Sequence, residues 1–208
     1  MMSILDEHAE NRIERHKQET RQRLMEAAVM LVQQHGFTKL TVKAITELAD
    51  VGHGTFYVHF ESKEALIWEV FYVFAEQLRL ETEQRLSTQP SPRREYLAWV
   101  EYFESVLRVR NEFAAMVGPN GHPMLRANYQ QYVIETVAKN IEADRYLRPP
   151  MYASFPEDYM ARFVAGTQLQ LTDWLLSAGC PYSAQEMATL LFRTIYHQAP
   201  PDDIGHHA

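Results

Sequence analysis

Hydrogen-bond donors of the kind that contact nucleic acids are concentrated in residues 41–63. Hydroxyl, ammonium and imidazole groups hold a protein on the phosphate backbone, whereas base sequence is read by groups that reach the base edges. The candidates for phosphate contact are Thr41, Lys43, Tyr57, His59 and Lys63. The candidates for base contact are His53, Gly54 and Thr55. A threonine methyl is suited to this task because it can meet the methyl group of thymine.

Two short helices are expected to position these groups. Thr41 is an N-cap residue type, and the apolar residues that follow it repeat at helical spacing as far as Leu48. Asp50 tolerates the left-handed conformation that a tight turn requires. The next segment ends at Phe60, which we expect to lie in the core together with Phe56. Two short helices joined by a tight turn predict a helix-turn-helix, whose second helix enters the major groove.

The charge distribution gives this interpretation limited support. A net charge of −7 argues weakly against nucleic-acid binding. Residues 12–23 nevertheless carry five lysines or arginines against two glutamates. This basic patch adds Lys17 to the candidates for phosphate contact, although charge alone favours a solvated helix surface.

Apolar residues repeat at helical spacing along most of the chain, which predicts an all-α protein. The first helix is expected to span residues 17–34 and to stop at Gly36. Ser183 and Glu186 have the spacing of a capping box that opens the last helix. The longer helices predicted after the helix-turn-helix span residues 63–86, 124–146, 156–178 and 183–197, with a further helix beginning at Pro92.

The run from Ala49 to Lys63, ADVGHGTFYVHFESK, resembles the TetR/AcrR family of regulators. Members commonly show Ala-Gly-Val-Ser-x-Gly-Thr-x-Tyr-x-His/Tyr-Phe-x-Ser/Asp-Lys. Asp50 replaces the usual glycine, and Gly52 replaces a serine whose hydroxyl would cap the second helix. Three upstream pairs are also similar to the family's first helix and its connector: Ala27-Ala28, Gly36-Phe37 and Thr41-Val42.

The resemblance implies a DNA-binding transcriptional regulator, with repression as the family's commoner mode and Tyr57 as a phosphate contact. It implies an N-terminal three-helix helix-turn-helix domain at residues 17–63. A larger C-terminal helical domain for ligand binding and dimerisation is then expected at residues 64–198. Residues 1–16 are expected to be disordered or frayed, and residues 199–208 to form a flexible tail.

Aromatic residues are frequent after residue 87, where helices of the family usually surround a ligand cavity. A mostly apolar cavity suits a small hydrophobic or aromatic effector. The candidates for effector contact are Trp99, Tyr102, Phe103, Phe113, Tyr129, Tyr132, Phe163, Gln170 and Trp174. Polar groups that would orient the effector are Thr167, Gln168, Gln170 and Asp173. Two alternatives stay open: the aromatic residues form only a core, or an acidic pocket for cations is formed through Glu101, Glu104 or Asp173.

The last two predicted helices resemble the family's dimerisation pair, which forms a four-helix bundle in a homodimer. Two-fold symmetry would place the recognition helices about 34–36 Å apart on a palindromic double-stranded operator. Effector binding is expected to move the fourth helix, which links the domains, so that this spacing is lost and the DNA is released.

No catalytic signature is present in the sequence. Because it lacks the usual zinc-protease, hydrolase, phosphate-loop and dinucleotide motifs, we expect no enzyme, no metal site and no cofactor. A single cysteine, Cys180, and the absence of a long apolar run favour a cytoplasmic protein that does not enter the membrane. The remaining alternative is a helical interaction protein that has lost DNA binding, against which Gly54, Tyr57 and Lys63 argue.

Overall fold

A computed structural model describes residues 4–143 and 149–201 of the chain. Most of the tail predicted at 199–208 and the first three residues of the predicted frayed terminus lie outside these ranges. Within them the secondary structure is helical, with two 3₁₀ turns at Phe37–Lys39 and Pro150–Tyr152 and no strand. The α-helices are α1 (Ile4–His35), α2 (Val42–Ala49), α3 (His53–His59), α4 (Lys63–Arg85), α5 (Arg93–Arg108), α6 (Arg110–Val117), α7 (Pro123–Glu142), α8 (Glu157–Leu176) and α9 (Ala184–Tyr196). The prediction of an all-α protein is therefore confirmed.

The chain divides into two compact units, the first ending at Ala75 inside α4 and the second beginning at Glu76. In the first unit α1 packs against α2, and α2 packs against α3. Its core consists of fully buried apolar side chains, among them Leu24, Ala28, Ile45, Phe56 and Leu66. The predicted functional limits, 17–63 and 64–198, stay predictions.

Residues that cap or terminate helices define the helix ends of the first unit. The Thr41 side chain accepts a hydrogen bond of 3.2 Å from the Ala44 amide, as an N-cap does. Asp50 adopts the left-handed conformation, with φ 51° and ψ 54°, and so provides the tight turn between α2 and α3. Gly36 ends α1 at φ 78°, a conformation that glycine adopts without steric strain.

In the second unit α7 packs against α8, and α5 packs against α9. Burial is nearly complete for Phe103, Leu125, Leu175, Met187 and Phe192. The predicted capping box at the start of α9 is present, with both the Ser183 and the Glu186 side chains engaged. Among the described helices, none is both long enough and apolar enough to cross a membrane.

Two helices differ from the predictions. The first begins at Ile4 rather than at residue 17, because charged residues that show no apolar periodicity continue the helix. Residues 93–117 form two helices rather than one, since Val109 leaves helical geometry at φ −121° and ψ 35°. The end predicted for α7 near residue 146 lies outside the described residues, and the helix ends at Glu142.

Candidate nucleic-acid interface and buried hydroxyl cluster

One face of α3 is buried and the opposite face is exposed. Phe56 and Phe60 are 0% and 4% exposed, as predicted, and anchor the helix in the core. Their burial turns Tyr57 outwards, where its side chain is 53% exposed and its ring packs against that of His53 at 5.4 Å. Gly54 is exposed as well, and no atom lies within 4 Å of the position a Cβ would take. The exposed first turn of α3, which has no side chain at Gly54, allows close approach by a large partner.

The remaining candidates for DNA contact differ in exposure. Thr41 and Lys43 are exposed at the start of α2, and Lys43 lies 3.8 Å from Glu47. Lys17 is exposed on α1, and Thr55 is half-buried. All of the candidates, Lys63 included, are therefore at least partly accessible.

His59, the last residue of α3, is half-buried. Burial lowers the pKa of its imidazole, and the positive charges of Arg21 and Lys17 lower it further. Because a lowered pKa favours the uncharged ring, His59 without a partner is a neutral hydrogen-bonding group near pH 7.

Lys63 points into its own unit. Its Nζ donates a hydrogen bond of 2.8 Å to the carbonyl oxygen of Leu40 and lies 5.6 Å from the centre of the Phe37 ring. The same Nζ is 3.8 Å from the carboxylate of Glu64. The predicted phosphate contact at Lys63 would require these interactions to break.

Two arginines of the basic patch also bond internally, which the sequence analysis did not foresee. Arg21 donates to Glu69 and, over 2.8 Å, to the carbonyl oxygen of His59. Arg23 donates to the carbonyl oxygens of Ala49 and Asp50. The local sequence of α1 gives no signal for these partners, because they are distant in sequence.

Three hydroxyl groups from three helices meet in the second unit, and we call them the hydroxyl cluster: Tyr102 of α5, Tyr129 of α7 and Thr172 of α8. The Tyr102 oxygen bonds to the Tyr129 oxygen and lies 2.7 Å from Thr172 Oγ1. Thr172 donates onward to the carbonyl oxygen of Gln168 over 2.8 Å, within α8. A buried polar group is costly unless it is hydrogen-bonded, and this cluster satisfies that requirement through its own members.

The electrostatic surroundings keep the cluster uncharged. Burial raises the pKa of Tyr102 and raises that of Tyr129 well above the ordinary value, so both phenols keep their protons. Asp173 is held nearby by Arg126, which binds both of its carboxylate oxygens at 2.6 and 3.1 Å. The cluster is therefore a set of neutral donors and acceptors.

The candidates for effector contact separate into distinct regions. Phe103 and Phe113 adjoin the hydroxyl cluster, where Phe103 packs on Tyr102 and Phe113 packs edge-on against Tyr129. Trp99 packs instead against Phe192 and Tyr196 of α9. Tyr132 donates to Glu76 over 3.0 Å. The outer face of α8 carries the half-buried Phe163 and the exposed Gln170 and Trp174.

The polar and acidic candidates show a similar division. Gln168 is buried beside the hydroxyl cluster, whereas the Thr167 hydroxyl bonds to the carbonyl of Phe163. Glu101 accepts from Thr82 over 2.7 Å and pairs with Arg85, and Glu104 is exposed. The described residues contain no group of acidic, histidine or cysteine side chains arranged to hold a metal ion.

Known proteins are similar to this chain in the region of the helix-turn-helix. Residues 24–70 match the model of the tetR family of bacterial regulatory proteins. The HTH-type transcriptional repressor DhaR of Mycobacterium sp. (strain GP1) is 32% identical over 97 residues. These are 47% of this chain and 43% of DhaR, so the match spans less than half of that repressor.

Solved structures share the fold over most of the chain. FadR of Thermus thermophilus, a TetR family transcriptional repressor in complex with lauroyl-CoA, has a TM-score of 0.65 at 21% identity, covering 84% of this chain and 92% of its own. RolR in complex with resorcinol has a TM-score of 0.60 at 21% identity, covering 87% and 89%. The two-unit helical architecture is thus the fold of these regulators.

Proposed function

We propose that this chain is a member of the tetR family of bacterial regulatory proteins and acts as a repressor that a small aromatic effector releases from DNA. The family is one of regulators rather than enzymes. The observation that carries the proposal is the exposed face of α3, flanked by the capped start of α2. Such a repressor acts on chromosomal DNA, so we place it in the cytoplasm.

The DNA contacts follow from exposure and residue type. Thr41, Lys43 and Tyr57 are the proposed phosphate contacts, with Lys17 and the neutral His59 beside them. His53, Gly54 and Thr55 are the proposed base contacts, because they form the first turn of the helix that would enter the major groove. Phosphate contacts position the protein, and these three residues supply sequence preference.

A homodimer is proposed through the outer face of α8. Tyr159 and Trp174 are 50% and 44% exposed on this face, and Phe163 lies between them. No atom lies within 4 Å of a Cβ at Gly166, so a partner helix has room to approach there. We therefore assign Phe163, Gln170 and Trp174 to subunit contact rather than to effector contact. A two-fold dimer then reads a palindromic operator.

The hydroxyl cluster is the proposed effector site, together with Phe103 and Phe113. RolR holds resorcinol and the Thermus FadR holds lauroyl-CoA in their structures. An acyl chain has no hydrogen bond to offer the three hydroxyls and would leave them unpaired, which is costly. A hydroxylated aromatic ring replaces the hydrogen bonds it displaces, so we favour this ligand class for the present chain.

The proposed mechanism is a shift between two states. Insertion of an effector among α5, α7 and α8 displaces these helices. The displacement reaches the first unit through α4, because this helix contributes residues to both units. The effector must bind the DNA-free state more tightly, and typical couplings of this kind are about 1–3 kcal/mol.

A ligand screen with a DNA readout tests this function. We expect resorcinol, catechol or phenol to raise the melting temperature and to release a duplex carrying the DNA upstream of the protein's own gene. Lauroyl-CoA is the competing ligand. If only lauroyl-CoA released the duplex, the effector would be an acyl-CoA and not a hydroxylated aromatic ring. If the ligand-free protein did not bind the duplex, the proposed repressor function itself would be contradicted.

A further inference from the structure

The C-terminal ends of three helical segments in the first unit each receive a basic side chain from elsewhere in the sequence. We infer that Arg21, Arg23 and Lys63, called here the carbonyl clamps, are positioning residues that orient the recognition helix α3 and do not bind phosphate. The inference rests on the proposed DNA-binding function. It reassigns Lys63, which its residue type made a candidate for phosphate contact, and two arginines of the basic patch.

Arg21 joins α1 to the end of α3 and to α4. Its Nε lies 3.0 Å from Glu69 Oε1, and its Nη1 lies 2.8 Å from the carbonyl oxygen of His59, the last residue of α3. Its guanidinium carbon lies 4.3 Å from the centre of the Phe60 ring. Each of the three guanidinium nitrogens thus donates a hydrogen bond to an acceptor within the first unit.

Arg23 performs the same task at the end of α2. Its Nη2 donates to the carbonyl oxygens of Ala49 and Asp50, the latter at 2.9 Å. It also lies 3.8 Å from the Asp50 carboxylate. This side chain therefore binds the turn that sets the angle between α2 and α3.

Lys63 closes the third segment, the 3₁₀ turn that precedes α2. Leu40 is the C-terminal cap of this turn, and its carbonyl oxygen accepts the 2.8 Å bond from Lys63. Because Lys63 is the first residue of α4, this bond joins the start of α4 to the start of α2.

Elementary helix physics explains why cations occupy these places. The last carbonyls of a helix have no partner within it and carry the negative end of the helix dipole. Helices of 8 and 7 residues, the lengths of α2 and α3, are unstable on their own and take their orientation from tertiary contacts. The carbonyl clamps supply such contacts between segments far apart in sequence.

A distinct salt dependence follows from this arrangement. A cation that binds phosphate releases counterions, and its loss lowers the slope of log Kobs against log[salt] by about 0.9 per contact. A cation that bonds to carbonyl oxygens releases none. Loss of a carbonyl clamp should thus lower affinity without changing the slope.

The test measures binding of the full-length protein to a fluorescein-labelled duplex from upstream of its own gene, over a series of NaCl concentrations. The variants are Arg21→Gln, Arg23→Gln and Lys63→Gln, with the exposed Lys43→Gln as the matched charge control. We expect each clamp variant to lose about tenfold in affinity or more at an unchanged slope. Lys43→Gln should lower the slope by about 1.8 for a dimer, at about 0.9 per subunit.

Glu69→Gln separates the two roles of Arg21 without removing a positive charge. If Arg21 positions α3, this variant weakens DNA binding at an unchanged slope, as Arg21→Gln does. If Arg21 binds phosphate, its release from Glu69 keeps or strengthens binding, and that result would overturn the inference for Arg21. Circular dichroism at the assay temperature confirms that each variant is folded.

Further outcomes have distinct meanings. A clamp variant that lowers the slope as Lys43→Gln does would show a phosphate ligand and overturn the inference at that residue. A variant with unchanged affinity and slope would overturn it as well, since no positioning would have been lost. Failure of the wild-type protein to bind any duplex would instead contradict the proposed function.

Discussion

The phenol oxygen of Tyr102 and Thr172 Oγ1 lie 2.7 Å apart and join α5 to α8 inside the second unit. Tyr129 completes the cluster from α7, so that one buried polar site connects three helices. In an otherwise apolar core such a network stabilises only one arrangement of its members, because any displacement leaves hydroxyls unpaired. The same property makes the site sensitive to a ligand that supplies replacement hydrogen bonds.

Removal of the central hydroxyl should affect both stability and ligand selectivity. We expect Tyr102→Phe to lower the free energy of unfolding by about 1–3 kcal/mol, because Tyr129 and Thr172 lose a buried partner. Urea unfolding of the two proteins measures this difference. Tyr72→Phe is the matched control, since Tyr72 is 41% exposed and its change should stay within about 0.5 kcal/mol.

In the presence of resorcinol, the same Tyr102→Phe variant should show a smaller rise in melting temperature than the wild type. Equal rises in the two proteins would place the effector elsewhere.

The exposed phenol of α3 gives a second prediction. Tyr57→Phe keeps the ring packing with His53 and removes only the hydroxyl proposed to bond to phosphate. We expect the DNA affinity of the dimer to fall about a hundredfold, because each subunit loses one hydrogen bond to a charged group, at about 1.4 kcal/mol or tenfold each. Fluorescence anisotropy with the upstream duplex measures the loss. Unaltered binding in a variant of wild-type stability would remove Tyr57 from the interface.

The outer face of α8 gives a third prediction. Trp174→Glu places a charge in the proposed subunit contact, where burial without a partner is strongly unfavourable. Sedimentation equilibrium should show a shift from dimer to monomer. Met124→Glu is the control, because it introduces the same charge at an exposed apolar position of α7. If both variants remain dimeric, another surface joins the subunits.

The ion pair at the start of the second unit gives a pH prediction. Arg79 binds both carboxylate oxygens of Glu76 at 3.1 Å, and Tyr132 donates to one of them at 3.0 Å. The hydrogen bonds from Arg79 lower the pKa of Glu76 below its ordinary 4.5, an effect that burial opposes and Tyr132 assists. The stability contributed by the ionised form is therefore present above pH 4.5 and is lost as the pH falls through the lower pKa of the folded state.

Unfolding experiments between pH 3 and 7 check this expectation. Glu76→Gln should lower the free energy of unfolding by about 0.5–1 kcal/mol near pH 7, and the difference should shrink towards zero in acid. Glu104→Gln, at an exposed position, should show no such pH-dependent difference. A gap between Glu76→Gln and wild type that stays constant with pH would mean that the charge of Glu76 contributes nothing.

Short-range signals in the sequence were sufficient for the helix-turn-helix. Thr41 as a cap, Asp50 as a left-handed turn residue and the burial of Phe56 and Phe60 each depend on a few neighbouring residues and on helical periodicity. The capping box at Ser183 belongs to the same class. These features could be predicted because local backbone preference and the apolar pattern agree.

Tertiary packing decided where the charged and polar side chains point. Lys63 and Arg21 are long cations whose partners, Leu40 and Glu69, lie 23 and 48 residues away. Nothing in a local pattern distinguishes such a cation from one that faces DNA. The break at Val109, which divides α5 from α6, was equally invisible because the apolar pattern continues across it.

The sequence by itself thus determined the helical fold class and the presence of a helix-turn-helix. Only the tertiary structure brought Tyr102, Tyr129 and Thr172 together from three helices and turned Trp174 to the opposite side of α8. The physical reason is that helix periodicity defines the faces of each helix, whereas the partner of each face depends on how distant segments pack.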